Sequence, residues 1–338
     1  MLPSIDFDAT RAAIPNIDIP NQCLVRMPEP IKPIIDTTPK SVLILGNGFD
    51  LDLGLKTNYE DFVKSDYWPF KTGNYSSGSL PEFLDRRLGT IGTWYDLEEA
   101  LAKFASKRVR SQEYLINRDK EYFQILIKKL KEYLQSQEDS FIEGENTDLV
   151  TPASFFMSLF LQKEIHSIYS FNYTNVCRLF SKINSCFEKV CTCTHVHGSL
   201  AHGNIILGAG DQRELNDNYF EFYKSASPHY ESNNLVEDLN SADEVYIFGH
   251  SLGLNDHDYF SDFFKKASKE VHRPSLSRKI KIRIFTLNDK SEIEIKKQLM
   301  RLTEKHLAGL YAHCDLKILK TCNESQSDWM NSNFSFYL

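Results

Sequence analysis

The residues best equipped for chemistry stand where short apolar runs end. They are Gly46-Asn-Gly-Phe-Asp50, Asn172-Tyr-Thr174, His197-Gly-Ser199, Gly249-His-Ser-Leu252 and Asn288-Asp289. Asp50 and His197 bring a carboxylate and an imidazole, groups suited to acid–base work near neutral pH. Asn172 brings an amide that both donates and accepts. For Asn172 or Ser251 alone, a structural cap is the ordinary explanation. Five such groups, each just past an expected strand, point instead to one rim, because ligands of open parallel sheets sit at the carboxyl ends of the strands.

The elements that must position these residues begin with Ser41 to Leu45, a short run of β-formers. An apolar run ended by glycine reads as a strand buried on both faces, as in a parallel sheet. Gly46, Asn47 and Gly48 then make a tight turn, and a helix is expected from Thr57, with Glu60 at capping-box spacing. Strand, glycine turn and helix form the unit that offers main-chain amides to a pyrophosphate. The fingerprint is incomplete. Leu51 stands where a third glycine belongs, and Asp50 and Asp52 put negative charge near a phosphate position. The competing explanation is a turn in which glycine supplies positive φ.

Residues 57–150 read as mostly helical, a layer or cap beside the sheet. Trp94 opens a helical region that runs to about Ser136, and an acidic loop at 138–148 ends it. Strands are expected at Ile165–Phe171, Val190–Val196, Asn204–Leu207, Glu244–Phe248, Lys279–Leu287 and Leu316–Leu319. Helices are expected at Asn175–Asn184, Pro228–Leu239, Asp256–Lys269 and Ser291–Leu307. This alternation predicts an α/β fold with a Rossmann-like, doubly wound, mostly parallel sheet and a helical insertion. Residues 1–40, with six prolines between Pro3 and Pro39, read as an extended arm laid over the body or over a second subunit.

Composition narrows the function classes. The chain has 338 residues, 41% hydrophobic and 25% charged, enough for a sizeable core. A net charge of −7 gives no general case for nucleic acid. No apolar run approaches the ~20 residues of a membrane helix. The first residues lack the pattern of a signal peptide. Seven cysteines without a CxxC pair suggest free thiols in a reducing cytoplasm.

Cys191-Thr-Cys-Thr-His-Val-His197 sets two cysteines and two histidines at alternate positions, all on one face of a strand. Residues two apart on a strand are roughly 6.6 Å apart, so the four cannot converge on one zinc. A single functional His197, supported by His195, is the better reading, with the cysteines as buried hydrophobes. Asp96, Glu98 and Glu99 read as first-turn helix charges, and Asp256 and Asp258 as caps of the helix that follows them. Tyr59 and Trp94 read as packing residues.

Several blocks together resemble the bacteriophage abortive infection protein AbiH family. They are Ile44–Phe62, Trp94-Tyr-Asp-Leu-Glu98, Ser170-Phe-Asn-Tyr-Thr174, His195-Val-His-Gly198, Ile205-Ile-Leu-Gly208 and Phe248–Phe260. The family resemblance extends to a distant likeness to the sirtuin-like (Sir2-like) fold, carried by the glycines at 46, 48 and 54, Phe171-Asn-Tyr173, His197-Gly198, Gly249-His-Ser-Leu252 and Asn288. That likeness implies NAD bound between a Rossmann-like sheet and a small helical module, and hydrolysis of NAD by an Asn and a His. The four-cysteine zinc module of sirtuin deacetylases is missing, so the likeness does not extend to deacetylation.

The resemblance implies an anti-phage protein that hydrolyses NAD at its nicotinamide–ribose bond when infection activates it. Asn172, His197 and Asp50 would be catalytic. Gly46, Asn47, Gly48 and Phe49 would cradle the pyrophosphate, and Gly249, Ser251 and Asn288 would hold the adenosine side. No metal is expected. A phage-derived trigger would switch activity on, and the arm would mediate homo-oligomers. Two alternatives keep the same pocket. One is a metal-dependent nucleotide or nucleic-acid hydrolase using Asp50, His197 and Asp256. The other is a non-catalytic nucleotide-binding sensor.

Overall fold

Val42, Leu43, Ile44 and Leu45 are all buried, and they split cleanly by parity. Val42 and Ile44 join the core on one face of a sheet, while Leu43 and Leu45 join the core on the other. A strand whose side chains alternate into two apolar layers must sit in the middle of a sheet covered on both faces. A computed structural model gives that arrangement. It describes residues 39–71, 73, 75–88, 94–106, 112–144, 151–160, 167–183, 193–269 and 279–322, all within the unit Pro39–Leu338. The expected N-terminal arm, apart from its last two residues, lies outside them, as do Cys191 and Thr192.

The strands are β1 (Ser41–Leu45), β2 (Ser167–Ser170), β3 (Cys193–His195), β4 (Gly198–Ser199), β5 (Asn204–Ile205), β6 (Glu244–Phe248), β7 (Lys281–Thr286) and β8 (Asp315–Lys320). Six of them form one sheet in the order β3-β2-β1-β6-β7-β8, and every pairing in it is parallel. Chain order runs outward from β1 in one direction, then returns to β1's other side with β6. This is the doubly wound order, and the reversal makes the crevice beyond β1 and β6 its switch point. β4 and β5 form a separate antiparallel pair.

Helices cover the sheet. They are α1 (Asn47–Asp52), α2 (Tyr59–Lys64), α3 (Leu80–Asp85), α4 (Trp94–Ser106), α5 (Glu113–Glu143), α6 (Pro152–Phe160), α7 (Val176–Ile183), α8 (Leu235–Ser241), α9 (His257–Ala267), α10 (Asp289–Leu302) and α11 (Leu307–His313). Residues of α8 to α11 pack on one face of the sheet, and residues of α1, α6 and α7 on the other. A third core joins α2 to α5 with the β4–β5 pair and residues 215–222. Its stripe on α5 includes Phe123, Leu126, Leu130 and Leu134 at helical spacing. Phe123 stacks on Phe222 at 4.2 Å between ring centroids.

Three sequence expectations are corrected. The segment after β1 is already helical at Asn47. Helix α2 is capped by Asn58, whose side chain accepts from the Asp61 N–H, while Thr57 donates to Asn47 Oδ1 instead. Helix α5 continues through the expected acidic loop as far as Glu143. There Glu138 is buried, accepting from the Asn175 N–H and pairing with Arg178 at 2.8 Å. An acidic run can stay helical where its charges find tertiary partners.

Candidate active site

The ends of β1 and β6 meet at the switch point through glycines. The Gly46 N–H donates to Phe248 O and the Gly48 N–H to Gly249 O, both at 2.9 Å. A Cβ on Gly46 would lie 2.5 Å from the His250 Cα, and one on Gly48 2.7 Å from the Gly249 Cα. Gly249 takes φ +67°, open to few other residues. These glycines therefore serve a close main-chain crossing. Because both amides are already engaged, neither is available as the pyrophosphate cradle expected from the sequence. Phe49 is likewise a core residue, with its ring 5.3 Å from Phe180 and 5.9 Å from Phe248.

Beyond this crossing opens a cavity of about 780 Å³, in the range of small-molecule sites. Asn47, Asp50, Asn172, His197, Gly249 and Ser251 all line it. Asn288 does not. It is exposed and caps α10, accepting from the Ser291 N–H. Strand ends in one sheet need not face one cavity, and β7 lies one strand further from the switch point than β6.

Asp50 is 1% exposed. Its Oδ1 accepts from Asn172 Nδ2 at 2.7 Å and its Oδ2 from Thr174 Oγ1 at 2.8 Å. Burial pushes its carboxyl up to about 7, against the opposing pull of those two hydrogen bonds, with Glu138 adding a like charge. Asn172 is itself fixed: its N–H donates to Ser170 Oγ, and His195 Nδ1 lies 3.1 Å from its carbonyl oxygen. Burial lowers the His195 imidazole. Its expected support of His197 is thus a contact with Asn172 instead. Asn172 Oδ1 is buried and has no hydrogen-bond partner.

A second cluster was largely illegible in the sequence. His197 Nε2 lies 3.2 Å from Asp256 Oδ1 and 3.5 Å from Lys224 Nζ. Lys224 is buried and pairs with Glu98 at 2.9 Å and Asp256 at 3.6 Å. Glu98 also accepts from Asn255 Nδ2 at 2.7 Å. His250 Nδ1 accepts from the Leu252 N–H, which leaves the His250 proton on Nε2, 3.4 Å from Asp256 Oδ2. Burial alone would raise the Asp256 carboxyl. Lys224, His197 and His250 overcome it and hold the group well below the usual carboxylate range. Burial likewise works against the Lys224 ammonium, and Glu98 and Asp256 more than restore it.

Glu98 and Asp256 thus anchor the cavity, where the sequence suggested first-turn and capping charges. No spacing signal marks Lys224, which reaches in from the loop after Phe222. The oxygens of Asp50 are held by protein donors, and those of Asp256 face two imidazoles and an ammonium. Among the described residues no three His, Cys, Asp or Glu side chains are grouped as metal ligands. No described helix is long and apolar enough to cross a membrane.

Comparison with known proteins adds a family. The model of the family described as bacteriophage abortive infection AbiH matches residues 42–276, more than half of the chain, and spans every cavity residue named above. No curated protein and no solved structure matches the chain. The chain belongs to the bacteriophage abortive infection AbiH family.

Proposed function

We propose that the protein acts in abortive infection by hydrolysing the nicotinamide–ribose bond of NAD once phage infection activates it. The observation that carries this reading is one cavity lined by both Asp50, held by Asn172 and Thr174, and His197, in contact with Asp256.

The chemistry suits these groups. Nicotinamide is joined to ribose as a pyridinium and leaves as a neutral molecule, so its departure needs no proton donor. The demand falls on the ribosyl cation that develops at the anomeric carbon and on the water that attacks it. Carboxylates near a glycosidic centre stabilise such a cation, and Asp50 in its ionised form would do so. His197 would take the proton from water as its oxygen bonds to the anomeric carbon, and the ionised Asp256 beside Nε2 would stabilise the imidazolium formed. Asn172 Oδ1, buried and unpartnered, suits a ribose hydroxyl donor. The family assignment supports the phage-defence context, and NAD as substrate is suggested by the resemblance to sirtuin-like motifs of Phe171-Asn-Tyr173, His197-Gly198 and Gly249-His-Ser-Leu252, each of which lines the cavity in part.

The purified protein incubated with NAD, alone and with phage lysate or nucleic acid, should release nicotinamide in the activating condition. Release should resist a chelator and disappear in Asp50→Asn and His197→Ala. Chelator-sensitive release would favour the metal-dependent alternative. No release in any condition, with phage protection surviving His197→Ala, would favour a non-catalytic sensor and overturn the proposal.

A further inference from the structure

The unfilled polar atom of this cavity has a definite sign. Asn172 Oδ1 is an acceptor, buried and without a partner, and beside it stands the Asp50 carboxyl, whose two hydrogen bonds both come from neutral donors. Lys224 is the one lysine among the cavity's lining residues, and it is engaged by Glu98 and Asp256. Glu60 and Glu294 add acid to the lining, although Lys64 and Lys297 pair with them at its exposed side. A ligand group entering here meets acceptors and negative charge.

Resting on the reading of NAD as substrate, we propose that the cavity selects the cationic, oxidised pyridinium over its neutral, reduced dihydropyridine form, and that the Asp50 carboxylate makes the discrimination. An opposite charge brought within a few ångströms of a desolvated carboxylate interacts strongly, while an isosteric neutral ring gains nothing from it. The groups facing Asp50 are Asn172 and Thr174 after β2, Glu138 on α5, and, around the same cavity, Glu98, His197, Lys224, His250 and Asp256. Burial raises the Asp50 carboxyl to about 7, so selection should strengthen as pH rises through about 7.

The test uses two small probes on the full chain, the N-methylnicotinamide cation and neutral nicotinamide, with apparent Kd read by thermal-shift titration between pH 6 and pH 8. The cation should bind about tenfold or more tightly than nicotinamide at pH 8. The gap should shrink at pH 6 and vanish in Asp50→Asn. Should Asp50→Asn fail to fold, Thr174→Val removes a bond that favours the ionised carboxyl, and the gap should then open at higher pH. Equal binding of the two probes overturns the inference, as does a gap that ignores pH, or one that survives Asp50→Asn or is unmoved by Thr174→Val. Cation preference without NAD hydrolysis would sustain this inference and defeat NAD hydrolysis. Hydrolysis without cation preference would do the reverse.

Discussion

Two aspartates in one cavity are pushed in opposite directions. Asp50 has neutral partners, an amide and a hydroxyl, and burial wins: its carboxyl rises to about 7. Asp256 is half-buried among Lys224, His197 and His250, and the charges win: its carboxyl falls well below the usual range. The residue types are identical, Asp50 is buried and Asp256 half-buried, and desolvation opposes the charge of both. The identity of the neighbours decides which carboxylate is permanently ionised and which can change its state near neutral pH. That division suits a site in which one acid orients a base and the other meets a developing cation.

The contrast can be broken most forcefully at Lys224. Lys224→Met would leave the buried Glu98 and the half-buried Asp256 without their cation, and removing one partner of a buried ion pair costs about 3–5 kcal/mol. Urea denaturation should show that loss, and adding Glu98→Gln should recover part of it. An unchanged midpoint would mean that the cluster is not held by charge.

The next effect separates the two aspartates by pH. Folded Asp50 keeps its proton up to about 7, against 3.8 for the free carboxyl. Between those values the folded state binds the extra proton. Stability therefore falls as pH rises through this window, and the penalty persists above it, amounting to up to about 4 kcal/mol. Asp50→Asn removes the penalty, so its stability relative to wild type should improve from pH 4 to pH 8. Asp256 carries the opposite sign. Its stabilisation is present above the free carboxyl's range and is lost as pH falls through its depressed folded value. Asp256→Asn should therefore lose most, relative to wild type, at neutral pH. Parallel pH curves for the two variants would erase the distinction.

Gly46→Ala tests the crossing that holds both halves of the cavity in register. The new Cβ would meet main-chain and Cβ atoms of His250 and the Gly249 carbonyl, which have little room to move. A loss of about 2–3 kcal/mol is expected, read from the thermal midpoint. Asn288→Ala should have the smallest effect. It should lose about 1 kcal/mol from the α10 cap, with NAD turnover unchanged. Lost turnover at full stability would return Asn288 to the ligand site.

The sheet was legible because its strands are short apolar runs closed by glycine or polar residues. β1 and β6 were expected at the boundaries observed, and β7 and β8 within two residues at each end. Helix boundaries were less legible. The expected helix at 228–239 begins only at Leu235, and α11, between Leu307 and His313, has no counterpart among the expected helices. Of the site, Asp50, Asn172 and His197 could be singled out, because chemically capable residues past strand ends converge in a parallel sheet. Glu98 and Lys224 could not. Both come from the helical layer and a loop, where no strand period marks direction, and their meaning arises from tertiary contacts 126 residues apart in the chain, from 98 to 224. The glycines were legible as glycines, but their reason was not: a close approach to the Gly249–His250 main chain resembles a phosphate loop until the second chain segment is in place.

The most direct test of the account is the NAD and nicotinamide content of phage-infected cells carrying wild type, Asp50→Asn or His197→Ala, measured by mass spectrometry at matched protein levels. The account predicts that infection makes NAD fall and nicotinamide rise with wild type alone, and that both variants lose protection. Protection retained by either variant, or protection by wild type with NAD undiminished, would contradict it.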